Sequence, residues 1–121
     1  MPRTTLNKTT PLGGFPILPL AADSIDIVWT AADVGNKNQF KLEAGDIVLA
    51  WNTHATTAYT ITLTSITDER NRTGDVTAYS LAAGDIGVFG PLEQKGWKQT
   101  DGNFYLEASN AAVKFAILRK V

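Results

Sequence analysis

This chain predicts an all-β fold, a single-domain antiparallel β-sandwich or barrel of about eight short strands with turn signals between them. Three observations carry that expectation. Thr, Ile and Val make up 30 of the 121 residues, a weight of β-branched side chains that suits pleated, half-buried strands. Apolar residues recur at every second position in several short runs, most clearly in the stretch 46–66, DIVLAWNTHATTAYTITLTSI. A corner motif also occurs twice, Phe40-Lys-Leu-Glu-Ala-Gly-Asp-Ile47 returning as Tyr79-Ser-Leu-Ala-Ala-Gly-Asp-Ile86 at an offset of 39.

The stretch 46–66 reads as two strands joined by a polar turn. Ile47, Leu49 and Trp51 share one parity, and Tyr59, Ile61 and Leu63 share another. Side chains alternate faces along a strand, so each set lines one face. The expected register puts Trp51 opposite Tyr59, Leu49 opposite Ile61 and Ile47 opposite Leu63, with Thr60, Thr62 and Thr64 turned away. In the repeated corner a strand ends at Leu42 or Leu81, turns through Ala-Gly-Asp, and restarts at Ile47 or Ile86. Gly45 and Gly84 are placed to supply the positive φ that such a turn often requires. The likeness stops after the second strand, so the chain is not a solenoid.

Residues 1–24 differ from the rest of the chain and are expected to form an extended N-terminal arm, with 25–121 as the β domain. Four of the five prolines fall there, with Gly13 and Gly14 between them, which argues against a sheet interior. Yet the arm is not polar. Leu6, Leu12, Phe15, Ile17, Leu18 and Leu20, with Arg3 near the start, are its candidate contact residues. Two readings stay open: an arm folded back over its own domain, and one that docks on a neighbouring subunit. Farther on, Ile25, Ile27 and Trp29 suggest a strand near 25–30, and Asp101-Gly102 suggests a hairpin between WKQT and NFYL. Residues 113–119 alternate as a last strand, although Ala108, Ala111, Ala112, Phe115 and Leu118 also fit helical spacing.

Charge and composition narrow the function. A formal net charge of −1 provides no basic field for a nucleic-acid backbone. The chain contains no cysteine, which excludes a disulfide scaffold, a thiol nucleophile and Cys-ligated zinc. No apolar run approaches the roughly 20 residues of a membrane span, and no signal-peptide core follows the N-terminus. The expected partners therefore include neither nucleic acid nor membrane, and the protein is expected to fold in the cytoplasm where it is made.

Catalytic groups are sparse. His54 is the only histidine and sits in a turn, so a zinc or copper site lacks nitrogen ligands. Ser24, Ser65, Ser80 and Ser109 lie in no nucleophile motif. Asp46 and Asp85 occupy matching corners, where side-chain to backbone hydrogen bonds explain a carboxylate better than acid–base chemistry does. The expectation is a protein without catalytic, cofactor or metal sites. Trp29 and Trp51 fall on apolar parities and are expected in the core. Trp97, after Lys95-Gly96, is the candidate exposed aromatic, and it leaves open a carbohydrate-binding sandwich as an alternative.

The order of features along the chain has a parallel. A Pro-rich apolar arm leads to Thr30-Ala-Ala-Asp33, then Asn38-Gln39-Phe40, the strand 47–52 and a Thr-rich strand. Arg72-Thr-Gly-Asp-Val-Thr-Ala-Tyr79, the second Ala-Gly-Asp corner, Val88-Phe-Gly-Pro91, Gly96-Trp97 and a final strand come next. Over most of residues 20–121 this resembles small proteins from the head-gene clusters of tailed bacteriophages, which are similar to capsid decoration, or cement, proteins. The resemblance implies a β-rich homotrimer on the outer face of the virion, bound to the lattice of the major capsid protein and reaching neighbours through its arm. A head–tail or tail structural subunit shares the same physics.

Overall fold

The computed structural model describes residues 2–11, 26–67, 70 and 73–119. Among these, ten strands form two sheets: β1 (Thr4–Thr5), β2 (Lys8–Thr9), β3 (Thr30–Ala31), β4 (Asn38–Lys41), β5 (Ile47–Asn52), β6 (Tyr59–Thr64), β7 (Val76–Leu81), β8 (Ile86–Phe89), β9 (Asn103–Ala108) and β10 (Val113–Leu118). The first sheet runs β1-β4-β9-β6-β7. The second runs β2-β10-β5-β8, with β3 also paired to β10. No helix is present among the described residues, and neither sheet closes into a barrel. The fold is an all-β sandwich.

The core lies between the sheets. Phe40, Phe104 and Phe115 are its largest members, joined by Leu42, Val48, Ile61, Leu63, Leu106, Val113 and Ile117. Phe40 and Phe104 stack across β4 and β9 with ring centroids 5.2 Å apart. The last strand is resolved in favour of its period-two pattern, with Val113, Phe115 and Ile117 turned inward. A helix there would have left this inner row without a sheet to complete.

The expected hairpin at 46–66 does not form. β5 pairs with β10 and β8 in the second sheet, whereas β6 pairs with β7 and β9 in the first. The polar linker crosses from one sheet to the other, and Asn52 holds the crossing. Wholly buried, Asn52 donates through Nδ2 to the carbonyls of Leu81 (2.8 Å) and Thr57 (2.9 Å), and its Oδ1 accepts the His54 amide. The inward parity of β5 is also the opposite of the expected one. Val48, Ala50 and Asn52 face the core, and Ile47, Leu49 and Trp51 line the outer face. Both parities of β5 are apolar, but the outer one is less buried: Leu49 is covered while Ile47 and Trp51 are half-buried. Trp51 is therefore not in the core: Trp29 lies against it, with centroids 5.3 Å apart and ring planes at 60°. On β6 the expected parity is the observed one, with Ile61 and Leu63 buried.

The repeated corner is a true structural repeat. Each copy carries the chain from the first sheet to the second, β4 to β5 and β7 to β8, and both glycines have positive φ, 91° at Gly45 and 81° at Gly84. Because β5 and β8 are antiparallel, each corner meets the far end of the other corner's strand. Gly84 N donates to Asn52 O (2.8 Å) and Asn52 N to Asp85 O (3.0 Å); Gly45 N donates to Leu92 O (2.7 Å) and Leu92 N to Asp46 O (2.8 Å). The two corners thus cap one another around the β5–β8 pair.

Two local expectations need correction. Of the strand expected near 25–30, Ile25 lies outside the described residues, and from 26 onward only Thr30–Ala31 pairs, because the edge of β10 that it would follow is already shared with β2. Asp101-Gly102 is a turn, with φ of 89° at Gly102, but no strand precedes it; the turn instead closes through Gln99 N to Asn103 O at 2.8 Å. The sheets are mixed and not purely antiparallel, since β1 runs parallel to β4 and β2 parallel to β10.

The corners and the strand end generate a graded prediction. Gly84→Ala should cost about 1–2 kcal/mol from positive φ alone, because a Cβ there meets open space. Gly90→Ala should cost distinctly more. Its φ is 122°, and a Cβ would fall 2.8 Å from the backbone oxygen of Asp46. Chemical denaturation of both variants checks the order.

Candidate functional site

Residues 3–10 form a strap across the open side of the sandwich. They contain no proline, so each amide is free to join a ladder. Thr4 N donates to Lys37 O (2.9 Å) and Leu6 N to Gln39 O (2.8 Å), which sets β1 along the edge of β4. The chain then crosses to the other sheet, where Lys8 and Thr9 pair with Ile117 and Leu118, and Arg119 N donates to Thr9 O (2.8 Å). Between the two contacts Leu6 drops into the core and is only 4% exposed. The strap therefore joins both sheets.

Polar anchors fix each end. The Arg3 guanidinium donates to the carbonyls of Asn38 (3.1 Å) and Leu106 (3.3 Å) and lies 4.1 Å from the centroid of the Tyr105 ring. The Tyr105 hydroxyl donates in turn to Asp101, which holds that carboxyl below its usual range and pushes the phenol up. The Thr4 hydroxyl donates to Asp33, and with the Asn36 amide it holds the Asp33 carboxyl low. At the other end Lys8 Nζ meets Asp46 Oδ2 at 2.7 Å and Glu43 Oε1 at 3.2 Å. Asp46 is wholly buried; Oδ2 also accepts the Glu43 amide, while Oδ1 meets no protein donor. The ammonium bonded to Glu43, helped by Arg119, keeps the Glu43 carboxyl below its usual range.

Of the expected arm contacts, Arg3 and Leu6 thus belong to the domain's own fold. Leu12, Phe15, Ile17, Leu18 and Leu20 lie outside the described residues. The points where that stretch leaves and returns are within them. Val28 N donates to Thr9 Oγ1 at 3.3 Å, and β2 and β3 lie on the same edge of β10. Departure and return are clasped together. Ile27 and Val28, at the return, are 44% and 50% exposed.

Trp97 marks a second feature. It is half-buried, packed on Phe104 with centroids 5.6 Å apart, and it lines a cleft of about 460 Å³. Ser65 and Ile66, Thr73 and Gly74, and Glu93 with Lys95 and Gly96 form the rest of the walls. The remaining chemical candidates are not brought to one place. The ring nitrogen Nδ1 of His54 accepts the amides of Thr56 and Thr57, and the ring rests edge-on against Tyr59, so it serves its turn. Asp46 and Asp85 sit at opposite ends of the β5–β8 pair. Among the described residues no three His, Cys, Asp or Glu side chains gather as metal ligands.

No family model, curated protein or solved structure matches this chain.

The Lys8–Asp46 contact lacked any local sequence signal, since the partners are 38 positions apart. The one hint was that residues 3–10 lack proline, whereas three prolines fall between 11 and 19.

Two outcomes are expected for the strap. Lys8→Ala leaves the Asp46 carboxylate buried without its partner and should cost about 3–5 kcal/mol in a denaturation experiment. Acid should loosen the strap before the core. Asp33 and Glu43 have folded pKa values below their ordinary 3.8 and 4.5, so their contribution is present above those values and lost as pH falls through the lowered ones. Amide chemical shifts of Thr4 and Lys8, tracked downward from pH 5, should move before that of Ile61 in the buried row of β6.

Proposed function

We propose that this protein is a non-enzymatic structural protein of a tailed-phage virion, one that decorates an assembled capsid and stabilises it by bridging neighbouring subunits. The observation that carries the reading is the clasp at Thr9 and Val28 on the β10 edge. It makes the stretch between them, with Phe15, Ile17, Leu18 and Leu20, a segment anchored at both ends on a rigid sandwich. Ile27 and Val28 carry the same apolar character onto the described surface. An apolar, proline-stiffened segment with fixed ends loses little entropy when ordered against a partner, which favours docking. The partner in this reading is the major capsid protein lattice on the outer surface of the virion, and the working form is a homotrimer that folds in the host cytoplasm. The resemblance of its motif order to head-gene-cluster proteins supports the same assignment.

The strap dictates the form of the test. Deleting residues 1–20 would also remove Leu6 and Lys8 and would confuse unfolding with loss of binding. Replacing Phe15, Ile17, Leu18 and Leu20 by serine leaves the strap in place. The quadruple variant should keep its denaturation midpoint yet lose at least about tenfold in capsid occupancy, equivalent to about 1.4 kcal/mol. Full occupancy and unchanged capsid heat stability would defeat the reading. A density map of the virion separates decoration from a head–tail or tail position.

A further inference from the structure

We infer that the cleft beside Trp97 is a binding site for a sugar ring, a function separate from capsid attachment and independent of it. A pyranose offers an apolar face of C–H groups and a rim of hydroxyls. A site for it needs a fixed aromatic surface next to polar side chains. Both are present here. The cleft volume of about 460 Å³ falls within the roughly 300–1,000 Å³ of small-molecule sites. Trp97 and Ile66 supply apolar wall, and Thr73 and Glu93 supply hydroxyl and acceptor groups around it, with Lys95 also on the lining.

The walls are already set in position. Packing on Phe104 fixes the indole from behind. Ile66 N donates to Gly96 O at 2.8 Å, tying the Trp97 segment to the end of β6. The Ser65 hydroxyl donates to Asp75 (2.6 Å) and accepts the Gly74 amide (2.9 Å), which fixes the Thr73 wall. That bond also holds the Asp75 carboxyl below its usual range. Gln99 Nε2 donates to the carbonyls of Thr64 (3.1 Å) and Ser65 (3.2 Å) from beneath. Three separate chain segments thus converge on one aromatic ring, and a ligand need not order them. Glu93 and Lys95 carry opposite charge, which suits a neutral polyhydroxylated ligand better than a phosphate or a polyanion.

The test is an NMR titration of the full chain with labelled tryptophan. One arm uses methyl glycosides of glucose, galactose, mannose and N-acetylglucosamine; the other uses maltotriose and chitotriose. Trp97→Phe assigns the Trp97 indole signal among the three. A saturable shift of that signal, with Trp29 and Trp51 still, is the expected result. Response in both arms assigns a single ring as the ligand, and response to the trisaccharides alone assigns an extended glycan. Glu93 is exposed, so Glu93→Gln should leave the fold intact and weaken binding about tenfold through loss of a charged acceptor. No shift at Trp97 in either arm, equal shifts at all three indoles, or unchanged affinity in Glu93→Gln would overturn the inference.

Discussion

The buried contact between Lys8 and Asp46 is the interaction on which the rest of the molecule leans. At that point the strap, the first corner and the end of β10 meet. Asp46 accepts the Glu43 amide inside the turn, and its carbonyl accepts Leu92 from beyond β8. One wholly buried carboxylate therefore shapes a corner, and the ammonium that compensates it comes from the strap. A pair of this kind contributes little net stability compared with apolar side chains of the same size, but breaking it is costly. Its value is positional: it locates residue 8 against the corner, and hence Leu6 in the core and the clasp at Thr9.

The geometry has a second centre in the crossing at Asn52. Between them, Asn52 and Asp46 account for both ends of β5, a strand apolar on both parities and bonded on both edges. Among the longer strands only β6 and β7 are both consecutive and paired; the others alternate between sheets. Such weaving makes each sheet depend on linkers anchored in the other. It also leaves the loops at the sandwich end free to form the Trp97 cleft without disturbing the core.

Legibility in the sequence tracked the range of the interaction. The Ala-Gly-Asp corners were readable because a turn is set by adjacent residues, and Gly45 and Gly84 behave as their neighbours require. The inner row of β6 was readable because Thr60, Thr62 and Thr64 leave one apolar parity. β5 was not, since Val48 and Ala50 compete with Ile47, Leu49 and Trp51, and the heavier set proved to be the outer one. Two-residue strands such as Thr4–Thr5 and Lys8–Thr9 lie below any periodic signal. Trp97 was recognisable as an aromatic in a loop, but its cleft partners Ser65 and Thr73 come from far earlier in the chain, and no local pattern links them.

The pairing of Lys8 with Ile117 and of Thr9 with Leu118 has a consequence for the timing of synthesis. Residues 4–9 emerge from the ribosome long before β10, yet half of the surface they require belongs to that strand. Until β10 has been translated and has left the exit tunnel, Leu6 and the Lys8 ammonium have no complete seat. The sandwich therefore closes as a late event, in the slow regime expected of folds built on distant contacts.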